Sequence, residues 1–413
     1  MKINPTVKNQ NIKRGFTLIE LIITFGVIGM VVSIAVVAIN PAEMLKKSRD
    51  TRRIADLVAL YTALQLAYSQ ELGFGTCDGT KIYASLPSSD PLSNDNLPSG
   101  VSWNQVSDNN LYKVDGAGWI PVNFASLGGG SPLSVLPVDP KKSSSNNLFY
   151  TYTCNSLKQF TLTAWFESQY YGPKGANPQS KNDGGPDPYL YEVGSHLSLS
   201  PLKPISVWSF DEGSGTIAYD SSGSNLTASV SGSWEQSCKI GSCLSVSGGA
   251  IAASVSDTTG SPLDLAGSLT ISFWLYPISY VSGYAYHPIN KWTGTADANY
   301  VIYYFGDAAG GDYKYMRPYA NCGGAWQSMN TGKIVDTLNE WHHIVWSYNP
   351  TIAESKFYVN GALASTASRN CTLAVNNASL NIGAQQSGKI DEVRIYNRTL
   401  SAAEIKAIYD ATK

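Results

Sequence analysis

The stretch "IKRGFTLIELIITFGVIG", residues 12–29, sets one carboxylate, Glu20, in a run that is otherwise apolar. Ahead of it lies a leader with Lys2, Lys8, Lys13 and Arg14 and no acid. From Phe16 to Ile39, Glu20 is the only charged side chain. At 1.5 Å per residue this run makes a helix about 36 Å long, enough to span a bilayer. A carboxylate at mid-helix in hydrocarbon costs roughly 2.5–3.5 kcal/mol, so a plain anchor leaves Glu20 unexplained. A cleaved secretory signal fits poorly too. Its apolar core should be about 7–15 residues, followed by a small-x-small site, and "AVVA" at 35–38 is a weak one. The basic leader favours a cytoplasmic N-terminus, but Lys46, Lys47, Arg49, Arg52 and Arg53 follow on the other side. Charge bias alone does not fix the orientation.

Beyond the apolar run, Ile54, Leu57, Val58, Tyr61, Leu64, Tyr68 and Leu72 recur at spacings of three and four. That is one face of an amphipathic helix, expected over 42–72 and ended by Gly73 and Gly75. It needs a sheet to cover it. "LFYTYT" (148–153) and "KQFTLTAWFE" (158–167) read as strands, with "LPVDP" (136–140) and "KKSSSNN" (141–147) as turns. "KNDGGPDPYLYEVG" (181–194) is acidic and Gly-rich. Asp183 and Asp187 there are candidate Ca²⁺ ligands, since Ca²⁺ takes oxygen ligands from flexible loops, against the simpler reading of a turn. "GSHLSLSPLKP" (194–204) reads as a linker.

From residue 205 the pattern changes to short alternating strands: "SLTISFWLYPI", "NYVIYYFG", "WHHIVWSYN" and "KFYVNGALAS". Asn360-Gly361 between two runs is a type I′ hairpin signal. Ser401 and Glu404 make a capping box for a short final helix. Many strands with Gly-rich turns mean a sandwich or jelly roll.

The bulk numbers agree with two folded regions. The net charge of −2, with 15% charged residues and no basic stripe, argues against nucleic acid as a partner. The 37 Gly, 25 Tyr and 10 Trp suit a β-rich surface protein. The six cysteines, Cys77, Cys154, Cys238, Cys243, Cys322 and Cys371, form no CxxC. Their even number suits an oxidising compartment. Fifteen connectivities are open. The simplest is local, Cys77 with Cys154, Cys238 with Cys243 and Cys322 with Cys371, with free buried thiols as the alternative.

"KRGFTLIE" resembles the processing site of type IV pilins and their pseudopilin relatives: Gly15, Phe16, Thr17, Leu18 and Glu20 in order. The resemblance implies cleavage after Gly15 by a prepilin peptidase and N-methylation of Phe16. It also implies that Glu20 meets the N-terminal amine of a neighbouring subunit during assembly, which accounts for the lone carboxylate. "LPVDP…LFYTYTC…FTLTAWFES" resembles the sheet of a pilin-like head.

A second resemblance covers 205–413. "VWSFDEGSGTIAYDSSG" (207–223), "SLTISFWLYP" (268–277), "EWHHIVWSYN" (340–349), "FYVNGAL" (357–363) and "GKIDEVRIYNRTLSAAEI" (388–405) occur in the order of a laminin-G-like, concanavalin-type domain. Members often bind glycans or proteins, and many hold a structural Ca²⁺. The positions that carry over as metal ligands are Asp220 and Asp391, with Asp211 and Asn225 weaker; the plainer reading is a turn residue and a hydrogen-bonding one. Candidate ligand-binding aromatics in the loop-rich part, 284–330, are Trp292, Tyr300, Tyr313, Tyr315, Tyr319 and Trp326, although such aromatics usually pack as core or cross-strand pairs. His342 and His343 are adjacent on a strand and point to opposite faces, so they do not make one site.

The expected fold is an α+β pilin module, a long N-terminal helix packed on a small antiparallel sheet, followed by an all-β antiparallel jelly-roll sandwich. The expected domains are a leader (1–15), a transmembrane and assembly helix (16–39), a pilin-like head (40–193), a linker (194–204) and the jelly roll (205–413). The expected function is a non-enzymatic filament subunit that sits in the cytoplasmic membrane before assembly and outside the cell afterwards. Its partners would be the prepilin peptidase, other pilin subunits, the membrane, and a glycan or surface protein. The alternatives are a secretion-system pseudopilin, or a structural subunit whose jelly roll has no ligand.

Overall fold

A computed structural model describes residues 17–247, 250–279, 285–294, 298–305, 315–335, 337–384 and 387–413. Gly15, Phe16 and Tyr313 lie outside the described residues. The chain divides into two compact units, Met1–Lys46 and Lys47–Lys413.

In the first unit, helix α1 (Leu18–Ile39) starts at Thr17 with a reciprocal cap. The Thr17 backbone N–H donates to Glu20 Oε2 at 2.9 Å, and the Glu20 N–H donates to Thr17 Oγ1 at 3.2 Å. Every described side chain from Leu18 to Ser33 is exposed. Among the described residues no helix is long and apolar enough to cross a membrane, and the side chains described for α1 end at Ser33. Asn40, with φ 45°, ends α1, and Pro41 opens α2 (Pro41–Ser69), the helix position where a missing N–H costs nothing.

In the second unit, α2 buries Leu57, Leu60, Ala63, Leu64 and Ala67. Val58 and Tyr68, placed on the apolar face by spacing, are 47% and 51% exposed. The buried stripe is rotated toward Leu60 because Arg53 also points inward. Arg53 is fully buried and donates to Asp139 at 2.6 and 2.9 Å, to Asp50 at 2.6 Å and to Glu167 at 2.9 Å. Asp50 in turn accepts the backbone N–H of Ser168 at 2.7 Å. The guanidinium thus fastens the helix to the "LPVDP" turn and to the end of a strand. A buried charge is tolerable only when paired and hydrogen-bonded. The helix ends at Ser69, before Gly73, and Glu71 turns the chain with a φ of 58°.

The sheet covering α2 runs β2 (Ser102–Asn104), β1 (Lys81–Ala84), β3 (Thr151–Cys154), β4 (Phe160–Trp165), β5 (Leu190–Gly194). It is antiparallel except at its edge, where β2 lies parallel to β1. Tyr152, Leu162 and Ala164 face α2 in one apolar cluster with Leu57 and Leu64. Thr151, Thr153, Thr161 and Thr163 face the other way and are buried too, so this sheet is covered on both faces. The acidic stretch 181–194 begins in the last residues of a one-turn helix, α3 (Gln179–Asn182), and ends in β5. Cys77 and Cys154 are bonded, as are Cys238 and Cys243, and Cys322 and Cys371.

The jelly roll has two antiparallel sheets among the described residues. One runs β20 (Ala362–Ser368), β19 (Glu354–Val359), β18 (His342–Asn349), β12 (Leu269–Ser279), β22 (Ser387–Tyr396), β10 (Cys243–Val246), β9 (Ser233–Glu235), with β6 (Ser206–Trp208) also on β22. The other runs β16 (Ala325–Ser328), β15 (Tyr315–Cys322), β14 (Ala298–Phe305), β13 (Ala285–Trp292), β21 (Leu380–Ala384), β11 (Ala253–Val255), β8 (Ala228–Val230), β7 (Ile217–Ala218), with β17 (Lys333–Ile334) on β15. Alternation sends Ile271 and Phe273 of β12, Trp346 of β18, Tyr300 and Ile302 of β14 and Ile382 of β21 into one shared core. The β19–β20 hairpin turns at Asn360 and Gly361, with φ 52° and 74°, values that suit Asn-Gly.

The outward face of the first sheet is covered as well. Helix α4 (Ala402–Thr412), capped reciprocally by Ser401 and Glu404, lies on it. Leu148, Trp165, Tyr189 and Leu190 of the head share an apolar cluster with Val345, Tyr358, Tyr396, Ile405 and Ile408 of the jelly roll. Residues 194–204 connect the two parts but are packed rather than loose. They include a 3-10 turn (Leu197–Leu199), and Leu202 is buried with Ile82 and Leu97. Arg398 donates twice to the Leu202 carbonyl, at 2.9 and 3.1 Å.

Candidate functional site

In β14 the alternation that turns Tyr300, Ile302 and Tyr304 into the core turns Val301 and Tyr303 outward. Tyr319 of β15 sits opposite Val301, Arg317 opposite Tyr303, and Trp326 of β16 opposite Asn321. These registers bring a band of rings together on the outward face. Trp326 stacks on Tyr319 at 5.7 Å between centroids and on Trp292 of β13 at 6.2 Å. Tyr303 meets Tyr319 edge-on at 4.9 Å and His287 at 4.6 Å. Trp292, Tyr303, Tyr319 and Trp326 are each half-buried. Val301, though it points outward, is 0% exposed, because the rings roof it. A polar row continues along the same face. Ser254 donates to Asn381 at 2.9 Å, and Asn381 donates to Asn290 at 3.1 Å.

Two polar atoms inside this band, Nε2 of His287 and Nε1 of Trp292, are enclosed without a hydrogen-bond partner among the described residues. Burial pushes the His287 imidazole down to about 4, so it is neutral at neutral pH. The band therefore offers aromatic faces, a neutral imidazole and amides. Such rings accept the apolar face of a sugar or of another planar group, while amides and hydroxyls fix its orientation.

Of the aromatics expected to bind a ligand, Trp292, Tyr319 and Trp326 are brought together here. Tyr300 is not: it is 0% exposed and belongs to the sandwich core. Tyr315 is half-buried near the Arg317 guanidinium, 5.7 Å away. Sequence reasoning missed Tyr303 and His287. Strict alternation along "NYVIYYF" separates Tyr303 from Tyr300 and was the available signal.

The carboxylates considered for Ca²⁺ make other contacts. Asp220 accepts the backbone N–H groups of Val207, Ser222 and Leu226, and the single Ser222 hydroxyl proton is shared between its Oδ2 at 3.0 Å and the Ile205 carbonyl at 2.9 Å. These bonds hold the turn. Asp391 is fully buried; its Oδ2 accepts from Ile240 at 3.0 Å and its Oδ1 has no hydrogen-bond partner. Asp211 accepts from Lys181 and, at 3.2 Å, from Ser242. Asn225 has φ 58° at a turn. Asp183 accepts the N–H groups of Gly185 and Glu192, and Asp187 those of Tyr189 and of the Arg394 guanidinium. Among the described residues no group of three or more His, Cys, Asp and Glu side chains is placed to hold a metal ion. Asp391 alone of the two carried-over positions keeps an oxygen open.

His343 lies under α4, between Trp274 at 5.1 Å and Tyr409 at 6.1 Å, with its Nε2 2.9 Å from Ser272 Oγ. His342 pairs with Thr337 on the other side.

Two family descriptions match the chain. Residues 10–36 match the prokaryotic N-terminal methylation motif, and residues 247–406 match the concanavalin A-like lectin/glucanases superfamily. The chain thus joins a pilin-type N-terminus to a lectin-like jelly roll. No curated protein matches it. Solved structures similar to it include the binding domain of botulinum neurotoxin DC in complex with rat synaptotagmin II, at 16% identity and TM-score 0.41, covering 51% of this chain and 52% of that one. Another is the binding domain of Paraclostridial Mosquitocidal Protein 1, at 16% identity and TM-score 0.40, covering 50% and 51%. A third is domain 4 of AbnA, an extracellular arabinanase from Geobacillus stearothermophilus, in complex with arabinotriose, at 20% identity and TM-score 0.39, covering 51% and 98%. The chain spans about half the length of the two toxin chains. At such scores these likenesses do not decide what this domain binds.

Proposed function

We propose that this chain is a subunit of a type IV pilus-like filament that carries a glycan-recognition domain, for adhesion rather than chemistry. The observation that carries the recognition half is the band of half-exposed rings, Trp292, Tyr303, Tyr319 and Trp326, on an outward sheet face that, among the described residues, the head and α4 do not cover. The methylation motif supports the filament half. In that reading the apolar segment 16–39 holds the chain in the cytoplasmic membrane until a prepilin peptidase cuts after Gly15 and Phe16 is methylated. Glu20, which folds back on Thr17 here, then exchanges that contact for the N-terminal amine of a neighbouring subunit. Of the carried-over positions, Asp391, whose Oδ1 has no hydrogen-bond partner among the described residues, is the one proposed for Ca²⁺. The size of the jelly roll suits a minor or tip subunit, because identical bulky heads crowd a helical filament.

The test is a glycan array probed with the full chain in detergent, with Trp326→Ala in parallel. Binding to a defined neutral sugar class that Trp326→Ala loses supports the reading. No binding, or binding that Trp326→Ala leaves intact, points instead to a structural coat.

A further inference from the structure

A cavity lies where the head sheet meets the jelly roll. It encloses about 340 Å³ and is lined by residues of both parts. That is at the lower end of the roughly 300–1,000 Å³ typical of small-molecule sites. We infer that this seam cavity is a binding site for a small neutral polyhydroxylated ligand, of the size of one or two sugar rings.

Three features of its lining lead there. The first is a set of aromatic walls: Trp103 and Phe149 meet edge-on at 5.8 Å, and Trp165 closes the same space. The second is polar capacity left over. Asn147 is 8% exposed and Trp165 9% exposed, both line the cavity, and neither side chain makes a hydrogen bond among the described residues. A ligand supplying hydroxyls would pair with both. The third is the start of α4. Ala402 and Ala403, whose N–H groups have no intrahelical partner, line the far end. Thr151 and Thr163 line the cavity too, but their hydroxyls already satisfy each other at 2.7 Å.

Charge decides the class. The charged residues in the lining are Arg398 and Glu404, and they pair at 2.7 Å while Arg398 also donates to the Leu202 and Thr399 carbonyls. The lining therefore carries no net charge, which favours an uncharged ligand over a phosphate or a carboxylate. Aromatic walls with an indole N–H, an amide and helix N–H groups fit an uncharged ligand that has an apolar face and several hydroxyls.

This site is independent of the glycan platform, and the experiment separates the two. The full chain in detergent is titrated with glucose, galactose, N-acetylglucosamine and lactose, with glucuronic acid as the charged control, by ligand-observed NMR. Two variants report on the seam. Asn147→Gly removes the amide at a residue whose φ is 56°, a conformation Gly adopts freely. Trp165→Phe keeps an aromatic face and removes the N–H. The titration is run in the Trp326→Ala background, which disables the platform; the expected result there is saturable binding of at least one neutral sugar, weakened about tenfold when either seam variant is added, with glucuronic acid unbound. The inference is overturned by no saturable binding of any neutral sugar in that background, or by binding there that both seam variants leave unchanged.

Discussion

The two outward faces of the jelly roll have opposite fates. On the β12–β18–β22 face, polar residues point away from the core as alternation demands, yet they are fully buried. The Arg394 guanidinium lies 3.7 Å over the Tyr189 ring and bonds to Asp187 at 3.3 Å and Glu392 at 2.7 Å. On the β13–β14–β15–β16 face, Trp292, Tyr303, Tyr319 and Trp326 point outward and stay half-exposed. One face is polar and covered; the other is aromatic and open. Polar side chains under a cover are tolerated because they are paired, Arg394 with Asp187 of the head and with Glu392 of the jelly roll. Among the described residues the aromatic face has no such cover, and the proposed binding role would account for it.

Breaking the covered face should have the largest effect. Arg394→Met leaves Asp187 and Glu392 buried without their cation, and should lower unfolding free energy by about 3–5 kcal/mol in a denaturant titration. A loss below about 1 kcal/mol would mean that the ion pairs do not hold the seam. Ile405→Ala, in the apolar part of the same seam, should cost about 2–4 kcal/mol and expose residues 194–204 to protease; continued resistance would show that the head and jelly roll do not depend on α4.

The sequence-based reading located the parts better than their contacts. The alternation of "SLTISFWLYP" and the Asn360-Gly361 turn are local signals, so the sandwich was legible. The covered face was not. Nothing within 388–396 says that Arg394 will meet Asp187, more than two hundred residues away in the chain. Arg53 was missed for the same reason: it sits in a basic run, and only the fold brings Asp139 and Glu167 to it. In the candidate site, Trp292, Tyr319 and Trp326 could be named from composition, but Tyr300 was wrongly grouped with them. It is one residue out of phase with Val301 and Tyr303, and a one-residue shift on a strand changes the face.

The open face has a pH signature. His287 titrates near 4 when folded because burial disfavours its charged form, against an ordinary value of about 6.5. Below pH 6.5 the unfolded chain takes up a proton that the folded chain does not. Its contribution is therefore complete above pH 6.5 and is lost as the pH falls from 6.5 toward 4. Tyr303 is the titratable group in ring contact with it. His287→Gln should flatten the stability profile over that window; an unchanged slope would place the acid sensitivity elsewhere. The smallest effect on stability belongs to Trp326→Ala, about 1 kcal/mol or less, since the ring is half-exposed and its neighbours remain stacked. A larger loss would show that the aromatic band is a structural roof and not a platform.

The most direct measurement takes filaments sheared from cells making this chain or its Trp326→Ala variant, and scores their retention on immobilised neutral glycan. We expect the chain to be present in both filament preparations, and only the unaltered filaments to be retained. Equal retention of the two, or filaments that lack the chain altogether, would contradict a filament subunit that recognises glycans through its open sheet face.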